Sequence, residues 1–243
     1  MSPVIAIDPG MVEQHIMELA QFGACGETGV CRQVYSPEWV TAQDRIMSWC
    51  REAGLSVRQD AVGSVWARLE GSEPGPSIAT GSHIDSQVPG GRYDGVLGVI
   101  AAVIALRTLK ERFGTPRRMI EAISFCEEEG SRFPTTGWWG SRAIIGAIGM
   151  NDPDEIVSAD GETIAEAMRA IGLDPARIPE AARTDIDTFI ELHIEQGPIL
   201  EHEGVPVGVV KGIPGIRHYL VELVGRTDHA GGVPMDLRRD AMA

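Results

Sequence analysis

The sequence predicts an α/β fold, a sheet carrying helices on both faces, and three observations predict it. Short runs rich in β-branched residues alternate with longer stretches of helical periodicity. The run "PSIATGSH" passes through a glycine-rich loop into a long apolar helix, as a strand passes into its crossover. Three of the strand-like runs end at or near histidine or glutamate, and the carboxyl ends of strands in open α/β sheets are where ligands bind.

The elements follow in order. Residues 36–54, "SPEWVTAQDRIMSWCREAG", carry a helix: Ser36 is the N-cap, Pro37 suits the first turn and Gly54 follows the last. Trp39, Ile46, Trp49, Cys50 and Ala53 share its apolar stripe. A strand is expected at "SVWARLE", and a short buried strand at "PSIATGSH" runs into His83. After Asp94, "GVLGVIAAVIALRTLKERFG" is apolar nearly all round in its first half and stops at Gly114 and Pro116, which makes it a core helix. "RMIEAISFCEEEG" is a strand ending in three carboxylates, and "DTFIELHIEQGP" is a strand ending around His193. Residues 151–185, acidic and dotted with Pro and Gly, are expected to form surface helices and loops.

Composition narrows the class. The 243 residues are enough for one large domain or two modest ones. A formal charge of −14 excludes a nucleic-acid partner, since no basic stripe is available for a phosphate backbone. No apolar run reaches the ~20 residues of a membrane-spanning helix, so no membrane partner is expected. The N-terminal residues lack a basic segment followed by an apolar one, and no signal peptide is expected. Cys25, Cys31, Cys50 and Cys126 form no CxxC pair and read as reduced thiols of a cytoplasmic protein.

The chemistry gathers in "GSHIDSQVPGGRYDG" and at the strand ends. His83, Glu127 to Glu129 and His193 would be delivered to one edge of one sheet. Adjacent carboxylates repel, and burial worsens the repulsion. A divalent ion resolves this, and histidine with carboxylate suits Zn²⁺, Mn²⁺ or Co²⁺. Asp85, two residues past His83, has the spacing of a carboxylate that fixes a ligand imidazole. His15 and His202 read as surface residues, and His218 as a structural residue of a strand in "GIRHYLVEL". His229 differs, because the glycines beside it let a ligand approach the backbone.

"GSHIDSQVPGGRYDGVLGV", "CEEEGSRF", "ELHIEQGPILE" and "GRTDHAGGVPMDLRRDA" together resemble the amidases of hydantoinase/carbamoylase type. That group includes N-carbamoyl-L-amino-acid hydrolases and allantoate amidohydrolases, within the dinuclear metallopeptidase-like superfamily. The likeness runs from about residue 20 to the end of the chain. The segment "YSPEWVTAQDRIMSWCREAGLSVRQDAVGSV" is nearer the allantoate branch.

The resemblance implies a metallopeptidase-like mixed sheet flanked by helices. Residues 1–211 would form part of the metal-binding catalytic domain, and 212–243 would begin an inserted α+β lid through which the complete enzyme forms a homodimer. It further implies two divalent metal ions, with His83 and His193 on one, Asp94 bridging and Glu129 on the second. Glu128 would be the general base and His229 the lid residue that polarises the scissile carbonyl. His229 and Arg217 are expected to contact a small anionic ureido substrate. Glu127 receives no role and is expected to be the solvated member of the three. A fifth ligand, a histidine, and a lid asparagine and arginine lie in relatives beyond this length, so a fragment is expected. The implied reaction is hydrolysis of the ureido C–N bond of allantoate or an N-carbamoyl-L-amino acid by a metal-activated water. A dipeptidase or deacylase of the same superfamily and a non-catalytic metal-binding protein are the alternatives.

Overall fold

A computed structural model describes residues 5–215, 217 and 219–242. The chain divides into two compact units, residues 1–196 and 197–243.

In the first unit, α1 (Pro9–Leu19) starts at Asp8, whose side chain accepts from the Gly10 amide. A small antiparallel hairpin follows, β1 (Ala24–Cys25) and β2 (Gly29–Val30). α2 (Pro37–Glu52) is capped by Ser36, which accepts from the Trp39 amide, and it buries Trp39, Ile46, Trp49 and Cys50 as its periodicity predicts. Then come β3 (Ser56–Gln59), β4 (Val65–Leu69) and β5 (Ser77–His83), followed by α3 (Val96–Phe113) and β6 (Ile120–Phe125). The unit continues through α4 (Trp139–Ile144), α5 (Asp152–Glu155), α6 (Ile164–Ala170) and a 3-10 turn (Pro175–Ala181), and its last strand is β7 (Ile186–Ile190).

The main sheet has the order β3-β4-β6-β5-β7. β3, β4 and β6 pair antiparallel, whereas β5 pairs parallel with both β6 and β7. The sheet is therefore mixed, with the β5–α3–β6 crossover at its centre. Alternation along the strands fills both faces. Val65, Ala67, Leu69 and Ala122 join the large core built with α1, α2 and α3, while Trp66, Ala79 and Ile123 pack with Ile144 of α4.

Several expectations are corrected. Cys25 and Cys31 are joined in a disulfide across the β1–β2 hairpin, so only Cys50 and Cys126 are free thiols, both buried. Spacing alone concealed the pair, because the hairpin, not the sequence interval, brings the two sulfurs together. His15 is half-buried, its ring 4.3 Å from that of Trp49 and its Nδ1 2.7 Å from the Met11 carbonyl. Residues 151–185 are not all surface: Ile164, Ala165, Ala167 and Met168 of α6 are fully covered. β3 was not foreseen, since it is short and exposed along one side and carries little apolar pattern.

In the second unit, α7 (Ile199–Glu203) is the one helix among the described residues, and His202 on it is exposed. No strand occurs between 205 and 229 among the described residues, although "VVKGIPGIRHYLVELVG" alternates as one would; His218 itself lies outside the described residues. No helix among the described residues is long and apolar enough to cross a membrane.

Candidate metal centre

β5, β6 and β7 run parallel, so their carboxyl ends share one edge of the sheet, and the polar side chains gather there. His83 closes β5 and is 2% exposed. Its Nδ1 donates to the Asp85 carbonyl at 3.0 Å, which leaves the Nε2 lone pair free to bind a cation. His193 repeats the arrangement three residues beyond β7, with Nδ1–H on the Ile194 carbonyl at 3.0 Å. The two rings stack at 6.0 Å. Between them stands Asp94, with Oδ1 3.1 Å from His193 Nε2 and 3.8 Å from His83 Nε2.

The end of β6 brings the glutamates. Glu128 Oε2 lies 3.6 Å from His83 Nε2, and its Oε1 accepts from the Trp138 indole at 3.1 Å. Glu129 Oε2 accepts from the Gln87 amide at 2.8 Å, and Asp94 Oδ2 accepts from the Gln196 amide at 2.7 Å. His83, Asp94 and His193 form one group of ligand atoms within 4.8 Å of one another, and His83, Glu128 and Glu129 form a second. Two imidazole lone pairs aimed at three carboxylates make a set that a divalent cation fits and that water alone serves poorly.

Asp85 does more than its spacing suggested. Its Oδ1 is 3.6 Å from His83 Nδ1, while its Oδ2 accepts the backbone amides of Glu128 (3.0 Å) and Glu129 (2.9 Å). One buried carboxylate thus pins the glutamate loop to the histidine. Burial opposes its charge, but His83 and the two amides outweigh burial and hold it below the usual carboxylate range. Burial likewise opposes charge on His83, yet Asp85, Glu128 and Glu129 push its pKa up to about 10. The same carboxylates favour a cation at Nε2, either a proton or a metal ion that takes the proton's place. Burial also raises Glu128 above the usual range; His83 opposes this, and Asp85, Glu129 and Glu191 reinforce it.

Glu127 corrects the sequence reading: it is fully buried, not solvated. Its backbone turns left-handed at φ 47°, its Oε1 accepts the Phe133 amide at 3.2 Å and its Oε2 has no hydrogen-bond partner. Burial first, then Asp85, push its carboxyl well above the usual range.

Glycines make the closeness possible. A Cβ on Gly95, where φ is +63°, would sit 2.5 Å from His83 Nε2, and one on Gly98 would sit 2.4 Å from the Leu192 carbonyl. The loop from 84 to 92 is braced from outside by the disulfide hairpin. Val30 and Gly90 exchange backbone bonds, and the Arg32 guanidinium donates to the Ile84 carbonyl at 2.7 Å. Gln87, Gln196 and Trp138 escaped the sequence reading.

In the second unit, His229 is exposed and its Nδ1 accepts the amides of Gly231 (3.2 Å) and Gly232 (3.0 Å). A nitrogen receiving two N–H groups carries no proton, so the neutral ring bears its hydrogen on Nε2 and donates from there. Arg238 donates to the carbonyls of His229 and Ala230, which ties down the turn. Arg217 belongs to the same unit and is exposed. The structure thus gathers His83, Asp85, Asp94, Glu128, Glu129 and His193 in the first unit, with His229 and Arg217 in the second.

Comparison with known proteins places this geometry. Allantoate amidohydrolase of Bacillus subtilis is 45% identical over 233 residues, which cover 96% of this chain and 56% of that protein. N-carbamoyl-L-amino-acid amidohydrolase of Paenarthrobacter aurescens is also 45% identical, over 95% of this chain and 56% of that protein. The crystal structure of a hydantoinase/carbamoylase family amidase from Burkholderia vietnamiensis superposes with a TM-score of 0.79 at 30% identity, covering 100% of this chain and 58% of the other. The chain thus spans a little over half the length of the relatives it matches. Residues 79–241, from β5 to the His229 turn and beyond, match peptidase family M20/M25/M40, and the chain belongs to that family.

Proposed function

We propose that this chain is part of a metal-dependent amidohydrolase that cleaves the ureido (carbamoyl) C–N bond of allantoate or an N-carbamoyl-L-amino acid. One observation carries the reading: His83, Asp94, Glu128, Glu129 and His193 converge at a single sheet edge with both imidazole Nε2 atoms turned inward. His83, Asp94 and His193 would hold one divalent ion, and Asp94 with Glu129 a second; Zn²⁺, Mn²⁺ and Co²⁺ suit these donors. When bound, such ions polarise a carbonyl and lower the pKa of water.

The chain's own groups supply the rest. Glu128 presents Oε2 to the site and is the general base, taking a proton from the attacking water and passing it to the leaving nitrogen. Its raised pKa brings it nearer the range in which a carboxylate does both. His229, with hydrogen on Nε2, donates to the oxygen that gains charge in the transition state, and Arg217 attracts the substrate carboxylate. Residues 1–211 act as catalytic domain and 212–243 as the beginning of a lid through which two copies associate.

The test is metal content together with products. Elemental analysis of the chain should give near one firmly held ion, because the first site has three donors here and the second has two; two tightly held ions would contradict the assignment. The whole gene product should release ammonia from allantoate or a free amino acid from an N-carbamoyl amino acid. Cleavage of dipeptides or N-acyl amino acids instead would establish the peptidase or deacylase alternative, and metal binding without any turnover the non-catalytic one.

A further inference from the structure

Trp138 sits where no apolar argument would put it. It is 62% exposed, and its backbone is left-handed at φ 59° and ψ 58°, directly after Gly137 at φ 50°. A bulky residue in that region is a conformational outlier, kept only where its surroundings over-determine it. The next two residues supply that determination. The Trp139 amide donates to the Glu127 carbonyl (3.0 Å) and the Gly140 amide to the Cys126 carbonyl (2.8 Å), while the Trp139 side chain is fully buried. A Cβ on Gly140 would lie 2.6 Å from the Cys126 carbonyl, so the start of α4 is seated directly on the end of β6. From there the Trp138 indole reaches Glu128 Oε1 at 3.1 Å, while Glu128 Oε2 faces His83.

We propose that Trp138 is a positioning residue: its indole N–H holds one oxygen of Glu128 so that the other stays turned toward His83 and the reacting groups. The proposal rests on the reading of Glu128 as general base. It gives a role to the exposed indole on that turn, since a carboxylate free to rotate would lose the alignment that proton transfer needs. Trp138 acts through Glu128 and not on the substrate.

The contact can be read without metal or turnover. In the metal-free chain, the fluorescence of the parent minus that of Trp138→Phe isolates the Trp138 emission. The same difference taken in a Glu128→Gln background isolates it with the carboxylate replaced by an amide. The proposal expects two spectra with different maxima, and superimposable spectra would overturn it.

In the whole gene product, Trp138→Phe should lower kcat about 10-fold with KM unchanged, the loss expected for one hydrogen bond to a charged group. It should cause no further loss in the Glu128→Gln background. An equal loss in both backgrounds, or an effect confined to KM, would overturn the assignment. If the parent hydrolyses none of the amides, the proposed function fails, and the fluorescence pair alone decides the role of Trp138.

Discussion

Replacing Gly95 with alanine tests whether His83 binds the cation. The new Cβ would lie 2.5 Å from His83 Cδ2, 2.5 Å from Nε2 and 2.5 Å from the His83 carbonyl. Carbon contacts settle near ~3.5–4.0 Å, so the ring must withdraw by about 1 Å. Metal–ligand distances tolerate only about 0.2 Å, so a shift of that size removes the imidazole from the first site. Even losing a supporting partner of a ligand costs ~10–100-fold in metal affinity, and losing the ligand's position should cost ~10²-fold or more. The left-handed backbone adds about 1–2 kcal/mol of instability, a fall in Tm of only about 2–8 °C for a chain of this size. The contact with the His83 carbonyl adds to this cost, so the site is read on protein shown to be folded. Zn²⁺ titration in competition with a chromophoric chelator measures the affinity, with far-UV circular dichroism as the check on folding. Gly91→Ala is the control on the same loop, since nothing lies within 4 Å of its Cβ. A folded Gly95→Ala protein that binds Zn²⁺ as tightly as the parent would refute the role given to His83.

Three other outcomes follow from the geometry. Nitrogen-15 NMR of His229 should show the neutral ring protonated on Nε2, because Gly231 and Gly232 both donate to Nδ1; a ring protonated on Nδ1 would contradict that turn. Cys25→Ser with Cys31→Ser opens a loop with a separation of 6 residues and should cost about 2 kcal/mol, or about 4–8 °C in Tm. An unchanged Tm, with four titratable thiols in the unfolded parent before reduction, would mean the bridge does not form. Glu121 is fully buried and paired with Arg183 at 2.8 Å and Arg68 at 3.1 Å. Burial would raise its pKa, but Arg183, Ser77 and Arg68 bring it below the ordinary value. Its stabilisation is thus full above the unfolded-state pKa and lost as pH falls through the lower folded one. Glu121→Gln should cost about 2 kcal/mol at pH 7 and flatten that acid limb; an unchanged limb would place the loss elsewhere.

What the sequence disclosed was local in origin. The α2 boundaries rest on Ser36, Pro37 and the turn at Gly54, and α3 on an apolar run closed by Gly114, all signals carried by the elements themselves. His83 and the three glutamates could be placed at strand ends because β5 and β6 are apolar runs that stop abruptly. The rest depended on what folding brings together. Glu127 is buried because its left-handed turn takes it inward while Glu128 and Glu129 go outward, and no composition rule distinguishes three adjacent glutamates. Trp138 meets Glu128 across a ten-residue turn whose geometry depends on α4 being seated on β6. The segment 205–225 shows the opposite failure among its described residues, since alternation makes a strand only when a neighbour supplies the ladder.

β7 lies at the margin of the sheet, bonded to β5 along Ser77 to Thr80 and exposed over most of its length. His193 follows it in the chain, so the donors opposite one another come from the sheet's interior and from one of its edge strands. An ion held by His83, Asp94 and His193 is therefore a cross-link as well as a reagent. It fastens chain segments about 110 residues apart, and clips across long loops restrain the unfolded ensemble most. Amide exchange along 186–190 would then be governed by the free concentration of the metal, and this margin would close like a buckle whenever the ion arrives.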